Sequence, residues 1–351
     1  AGQAHQQTLP NGSRKGYFIG DGTGVGKGRE IAGIILDNFR QGRNKAVWVS
    51  VNPNMVIDAT RDWTGLGQNK DDIMSLSKVK LGKPIAADSG ILFASYNTLA
   101  SSEGEMSRLQ QIVDWLGKDF DGVIAFDEAH KMNNLMGKQG ARGKTAGSQM
   151  AKAGVELQRM LPNARVVYVS ATGATDVSGL AFAERLGLWG RGTAFNDAKD
   201  FVSKIGSSGI AAMELVSRDM KASGVYLARS ISYDGVTYDT LQHTLTPTQT
   251  KIYNTMSKAW QITLQNVQAA LKETGASKAK GIAKSSAISQ YYGAIQRFYN
   301  QVLTSMSMPS VIDSMKKELA AGHSCVLQLV NTKEAEQERQ VAKIKDTNGS
   351  L

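Results

Sequence analysis

Ile19-Gly20-Asp21-Gly22-Thr23-Gly24-Val25-Gly26-Lys27-Gly28-Arg29 is a glycine-dense loop that closes on Gly-Lys. An apolar run precedes it (Tyr17, Phe18, Ile19). Helix-period residues follow (Ile31, Ile34, Ile35, Phe39), predicting a helix from Gly28 to about Arg40. A strand, a stretch of bare backbone and a helix N-terminus make a phosphate cradle. Amides converge there, the helix dipole is positive, and Lys27 adds a point charge. A nucleoside triphosphate is the first ligand to expect, with Gly22, Thr23, Gly24, Val25, Gly26, Lys27, Gly28 and Arg29 lining it. The loop departs from G-x-x-x-x-G-K-[ST] twice. Asp21 stands where the first glycine belongs, and Gly28 where Ser or Thr belongs. That hydroxyl normally ligates Mg²⁺, so Thr23, a water or a downstream carboxylate must help instead. Arg29 could touch phosphate or brace the loop against Asp37.

A second segment points to the same chemistry. Gly122-Val123-Ile124-Ala125-Phe126 is almost wholly apolar, as a buried parallel strand should be. It ends in Asp127-Glu128-Ala129-His130. An acidic pair at the C-terminal end of such a strand suits a metal-holding carboxylate, Asp127, followed by a water-orienting base, Glu128. The bland alternative is a strand-to-helix cap with Asp127 as N-cap. A third segment, Val166-Val167-Tyr168-Val169, is another buried-strand pattern and ends in Ser170-Ala171-Thr172. Order and spacing, rather than any one segment, make the set specific.

The composition sets bounds. The chain has 351 residues, 41% of them hydrophobic, enough for one large α/β domain and a helical second part. No apolar run approaches the roughly 20 residues that span a bilayer, and residues 1–12 carry no apolar signal core. One cysteine, Cys325, excludes an internal disulfide, and it reads as a core residue. Four scattered histidines give no metal cluster. The net charge of +10 favours polyanions without identifying one. Its densest patch is Lys138, Arg142 and Lys144, either a solvated loop or a mobile phosphate contact.

Strands are expected at Lys45–Val51 and Ile91–Ser95. Helices are expected at Ser107–Leu116, Ser148–Met160 and Leu180–Leu186. This alternation predicts a parallel sheet covered on both faces, with ligands at the carboxyl ends of the strands. Ser50, Asn52, Ser95 and Tyr96 follow strands, where they suit sequence-independent contact with a nucleic-acid backbone or serve as ordinary turns. Trp48 and Trp189 read as core. From about Gly190 helical patterns dominate: Asp197–Lys204, Ala211–Ala222, Pro247–Lys272 and Ser285–Ser305. Cys325–Val330 reads as a new buried strand, with a helix at Lys333–Lys343. The expected domains are therefore 1–190, a helical region 191–321, and 322–351.

These segments together resemble the strawberry notch family of superfamily-two helicase-like P-loop ATPases, bacterial and phage-type members included. The glycine loop with Gly28 after its lysine carries the resemblance, as do Ala46-Val47-Trp48-Val49-Ser50-Val51 and Asp119-Phe120-Asp121-Gly122 leading into the acidic box. Leu161-Pro162-Asn163-Ala164-Arg165-Val166-Val167-Tyr168, Arg185-Leu186-Gly187-Leu188-Trp189-Gly190, Met213-Glu214-Leu215 and Asp219-Met220-Lys221 continue it. It runs from the N-terminus to about Leu245. It implies a RecA-like domain, then a mainly helical region, with 322–351 opening a second RecA-like domain. It implies ATP and Mg²⁺ as cofactors, and Lys27, Asp127 and Glu128 as the catalytic set. His130, Ser170 and Thr172 would couple the γ-phosphate site to nucleic acid, DNA before RNA. An upstream glutamine (Gln3, Gln6 or Gln7) would read adenine. It further implies a larger polypeptide, in some relatives with a methyltransferase, that supplies the arginine fingers, so this chain alone should hydrolyse ATP weakly. The implied setting is cytoplasmic for a bacterial or phage protein and nuclear for a eukaryotic one. Two readings of activity stay open: an ATP-driven helicase or translocase, and a nucleotide-dependent interaction module without unwinding. A P-loop kinase fits the acidic box and Ser-Ala-Thr less well.

Overall fold

The computed structural model describes residues 1–103, 106–140, 143–171, 177–274 and 282–329. The chain divides into two units, Ala1–Asp234 and Gly235–Leu351.

In the first unit the strands are β1 (Tyr17–Ile19), β2 (Lys45–Ser50), β3 (Ile73–Ser75), β4 (Gly90–Ser95), β5 (Ser102–Glu103), β6 (Met106–Ser107), β7 (Val123–Asp127), β8 (Lys138–Gly140), β9 (Gly143–Thr145), β10 (Arg165–Val169) and β11 (Tyr226–Leu227). Its helices are α1 (Lys27–Arg40), α2 (Val56–Thr64), α3 (Tyr96–Leu99), α4 (Arg108–Leu116), α5 (Gln149–Met160), α6 (Ala198–Ser207) and α7 (Gly209–Ala222). Seven strands form one sheet in the order β11-β1-β10-β7-β2-β4-β3. Every pairing in it is parallel. β5 with β6, and β8 with β9, form small antiparallel pairs.

The apolar runs are continuous because both faces of the sheet are covered. Successive strand residues point to opposite faces. Ala46 and Trp48 of β2, Val123 and Ala125 of β7, and Val167 and Val169 of β10 join one cluster, with Ile31 and Ile35 of α1 and Trp63 of α2. Val47, Val49, Ile124, Phe126, Val166 and Tyr168 join the other, with Ile112 of α4 and Leu157 of α5. Within the second cluster the rings of Tyr96, Phe126 and Tyr168 stack at centroid spacings of 6.5 and 6.0 Å. Trp48 is core, as expected, and Trp189 packs against the core while half-buried.

The helix expected at Leu180–Leu186 is instead two 3₁₀ turns, Val177–Leu180 and Glu184–Leu186. Its backbone is engaged elsewhere. The Gly16 amide donates to the Arg185 carbonyl at 2.6 Å, and the Arg185 amide donates to the Tyr168 hydroxyl at 3.3 Å. Arg185 itself is buried with carbonyls around its guanidinium. It donates to the oxygens of Arg14 (3.1 Å), Pro162 (2.9 Å), Ala164 (3.3 Å), Leu161 (2.8 Å) and Gln158. The bonds to Gln158 and Leu161 satisfy carbonyls at the C-terminal end of α5.

The second unit contains α8 (Pro247–Glu273) and α9 (Ile282–Ala320). Thr246 and Gln249 form a reciprocal capping box, and Pro247 occupies the first turn. Trp260 of α8 meets the edges of Tyr291 and Phe298 of α9 at 5.6 and 5.5 Å. α9 extends past the expected Ser285–Ser305 and continues through Pro309.

Two expectations differ from the structure. The compositional boundary at 190 falls inside the first unit, because α6, α7 and β11 complete its core and sheet through Phe201, Met220 and Tyr226. The strand expected at Cys325–Val330 is absent among the described residues 323–329, where Val326 is 97% exposed and Cys325 only half-buried. An apolar run becomes a strand only where neighbours complete its backbone ladder, and none pairs with it among the described residues. The expected helix at 333–343 lies outside the described residues. No described helix is long and apolar enough to cross a membrane.

Candidate nucleotide-binding site

Register brings the strand ends together. Ile19 pairs with Val169, Val169 with Asp127, Val49 with Phe126, and Ser50 with Ser95. The carboxyl ends of β1, β10, β7, β2 and β4 are therefore flush along one edge, where a doubly covered parallel sheet binds ligands.

The glycine loop leaves β1 at this edge and feeds α1. Gly24 and Gly26 have φ of 87° and 103°, a region that side chains with a Cβ rarely adopt. No side chain caps α1, so its first-turn amides are available to an anion. Lys27 Nζ donates to the Gly22 carbonyl at 3.2 Å, folded over the loop. Thr23 is exposed and Val25 half-buried.

Asp21 is fully buried beneath the loop. Sequence reasoning singled it out only as a missing glycine, yet it has a definite partner. The Arg229 amide donates to Asp21 Oδ1 at 2.7 Å and its Nε to Oδ2 at 2.9 Å, and the guanidinium also reaches Glu30. The Gly22 amide donates to the Arg229 carbonyl at 2.7 Å. Arg229 lies 208 residues away in sequence, so only the addition of β11 beside β1 reveals it.

Asp127 ends β7 with its carboxylate held on two sides. Ser50 Oγ donates to Oδ2 at 2.9 Å, and the Glu128 amide donates to Oδ1 at 2.9 Å. Burial raises its pKa to about 6, and the Glu128 charge adds to the rise. The Ser50 and Glu128 hydrogen bonds and the Lys27 charge pull the other way. Glu128 has φ of 49°, the only positive non-glycine value among the described residues. That left-handed turn swings its carboxylate to His130, with Oε2 3.1 Å from Nδ1. The same Nδ1 lies 3.3 Å from Ser170 Oγ. Glu128, His130 and Ser170 thus form one connected group spanning β7 and β10. Thr172 lies outside the described residues, as does Arg142 of the basic patch.

The expected nucleic-acid residues are mostly turned inward. Ser50 is buried on Asp127. Ser95 is buried and caps α3, accepting from the Thr98 amide at 3.1 Å. Tyr96 is buried, its hydroxyl donating to the Asp127 carbonyl at 2.9 Å. Asn52 alone of the four is exposed, and its side chain accepts from the Asn54 amide. Strand-end hydroxyls here satisfy the turn and the carboxylate beside them. Arg29 is braced by Asp62 at 3.7 Å and the Gly65 carbonyl at 3.4 Å, rather than by Asp37. Gln3, Gln6 and Gln7 are all exposed, with Gln7 accepting from Lys15. A cavity of about 670 Å³ is lined by Leu9, Leu186, Trp189 and Met220 and includes no residue of the loop or acidic box.

Among the described residues no group of three His, Cys, Asp or Glu side chains could hold a metal. Mg²⁺ is usually bound by only one or two carboxylates together with phosphate oxygens and waters, and the buried Asp127 carboxylate at this edge is a residue that could hold it. An open helix N-terminus beside a buried carboxylate can accept a triphosphate and its cation together.

Comparison with known proteins identifies the family. The family model described as "P-loop containing NTP hydrolase pore-1" matches residues 1–255. Protein strawberry notch homolog 1 of Gallus gallus is 39% identical over 360 residues, covering 100% of this chain and 28% of the relative. The Homo sapiens homolog 1 is 38% identical, with 100% and 25% covered. Protein FORGETTER 1 of Arabidopsis thaliana is 37% identical over 347 residues, with 97% and 26% covered. The chain thus spans about a quarter of the length of the curated relatives it matches.

Proposed function

We propose that this chain, which belongs to the strawberry notch family of P-loop NTP hydrolases, binds and hydrolyses ATP to drive a helicase or translocase on nucleic acid, DNA before RNA. One observation carries the reading: the flush ends of β1, β10, β7 and β2 bring Ser170, Asp127 and Ser50 to a single edge, from which the loop leading to Lys27 departs after β1. The Lys27 ammonium is near enough to lower the pKa of Asp127.

The residues divide the work. The Gly22–Lys27 backbone cradles phosphate oxygens, and Lys27 leaves the Gly22 carbonyl to neutralise charge on the β- and γ-phosphates. Bound Mg²⁺ supplies further neutralisation of the phosphate oxygens. Asp127, held by Ser50 and the Glu128 amide, is pre-oriented for the cation. Glu128 orients the attacking water and accepts its proton. His130, between Glu128 and Ser170, senses that carboxylate and passes its state to β10. Such catalysis is positioning plus charge stabilisation.

Lys27→Ala should abolish detectable nucleotide binding while leaving the circular dichroism spectrum unchanged. Normal ATP hydrolysis by that variant would end the proposal. The inward Ser50, Ser95 and Tyr96 favour a second reading, a nucleotide-dependent interaction module. ATPase rates with single-stranded DNA, duplex DNA and RNA separate the two. Stimulation by any of them supports the motor, and indifference to all three supports the module.

A further inference from the structure

The glycine after the phosphate-loop lysine has a cause in the structure. Gly28 lies inside α1 at ordinary helical φ, so its backbone does not demand glycine. In a helix interior glycine is about 1 kcal/mol less favourable than alanine. What fills the space beside it is Asp62. A Cβ at Gly28 would run into Asp62 Oδ2 and lie 3.1 Å from Asp62 Cγ, so the carboxylate would have to turn away. The Asp62 carboxylate, presented by α2, fills the volume a Ser or Thr side chain would take. Its oxygen stands within the shell that a hydroxyl on that Cβ would sweep.

Asp62 is aimed rather than loose. Its side chain is 20% exposed, and Oδ1 faces Arg29 Nε at 3.7 Å, its one ion-pair partner among the described residues. Arg29 is fixed in turn by the Gly65 carbonyl. Oδ2 is the oxygen turned toward Gly28, in the first turn of α1. A carboxylate beside a triphosphate cradle is repelled by the phosphates unless a cation lies between them. Mg²⁺ accepts one or two protein carboxylates alongside phosphate oxygens and water.

We propose that Asp62 replaces the missing Ser/Thr hydroxyl, supplying the second protein oxygen, after Asp127, on the magnesium side of the nucleotide. Gly28 and Asp62 form one unit: with no Cβ at position 28, the carboxylate occupies that volume undisplaced. This inference rests on the nucleotide-binding reading above.

The test measures binding of a fluorescent ADP to the full chain as Mg²⁺ is raised from an EDTA baseline. Asp62→Asn keeps shape and removes charge. It should raise the Mg²⁺ concentration for half-maximal binding by about tenfold or more, with metal-free binding no weaker than wild type, since the repulsion is removed. Asp62→Ala should do the same. Adding Gly28→Ser to Asp62→Ala puts the hydroxyl back and should recover the wild-type midpoint to within about threefold, whereas Gly28→Ser alone collides with Asp62. An unchanged midpoint in Asp62→Asn overturns the inference and leaves the ATPase reading intact. So does an equal loss with and without Mg²⁺, which marks a packing role. If wild-type protein binds no nucleotide at any Mg²⁺ concentration, the ATPase reading itself falls.

Discussion

Phe126 and Ile262 are both large apolar residues inside regular elements, and they meet opposite surroundings. Phe126 is fully buried in β7 between the rings of Tyr96 and Tyr168. Ile262, in the middle of α8, is 56% exposed. The contrast holds for the two units. Two clusters fill both faces of the sheet in the first unit. In the second, only Tyr291 and Met306 are buried hydrophobics among the described residues, and α8 buries none. Each unit keeps its helices, but by different means. The first holds them by burial, the second by local hydrogen bonds and one line of aromatic contacts. Secondary structure alone is a poor guide to where stability resides.

Substitution is the strongest way to break this contrast. Phe126→Ala should cost about 3–5 kcal/mol in denaturant unfolding of the first unit. A cost under about 1 kcal/mol would show that the aromatic stack is not a core. Acid titration sharpens the contrast, since two perturbed groups sit in the first unit. His5 is buried with Nε2 3.2 Å from the Val166 carbonyl, and burial lowers its pKa to about 4. The unfolded chain takes up that proton near pH 6.5, before the folded one does. His5 alone therefore withdraws about 3 kcal/mol as pH drops from 6.5 to 4. The difference between wild-type and His5→Leu denaturant midpoints should show that slope, because Asp127 offsets it in the wild-type total.

Asp127 works in the opposite sense. Its folded pKa of about 6 lies above the unfolded 3.8, so its ionisation destabilises the nucleotide-free protein as pH rises from 4 to 6. Asp127→Asn should raise stability by about 2 kcal/mol at pH 7 and by little at pH 4, read from the same midpoints. The gain at neutral pH is the stability given up to bury an ionised carboxylate at the strand end. Smaller still, Thr246→Ala removes the N-cap of α8 and should cost about 1 kcal/mol, visible as fraying of α8 in amide exchange. Ile262→Ala should fall within about 0.5 kcal/mol of wild type.

The sheet was legible because its strands are apolar on both faces and short, and because each ends in a chemically marked residue. Lys27, Asp127 and Ser170 could be placed at strand ends from those runs alone. Their partners could not. Ser50 looked like a surface turn residue, because its bond to Asp127 depends on β2 lying beside β7, a neighbour relation no local pattern carries. Arg229 and Asp62 were silent for the same reason. Each meets the phosphate loop from an element distant in sequence. Leu180–Leu186 failed in reverse, since its apolar spacing was real but tertiary bonds took its backbone. Cys325–Val330 carried a strand's composition without a strand's neighbours among the described residues.

Arg185 sets a clock as well as a joint. Its guanidinium bonds carbonyls both far and near in sequence, 171 residues away for Arg14 and 27 for Gln158. A contact closing so long a loop is entropically slow to form and belongs to the last stage of assembly. Weakening it with lysine, which lacks the planar fork, should hasten unfolding while leaving the refolding rate nearly untouched. The clasp would then govern how long the nucleotide-binding unit survives, rather than how quickly it is made.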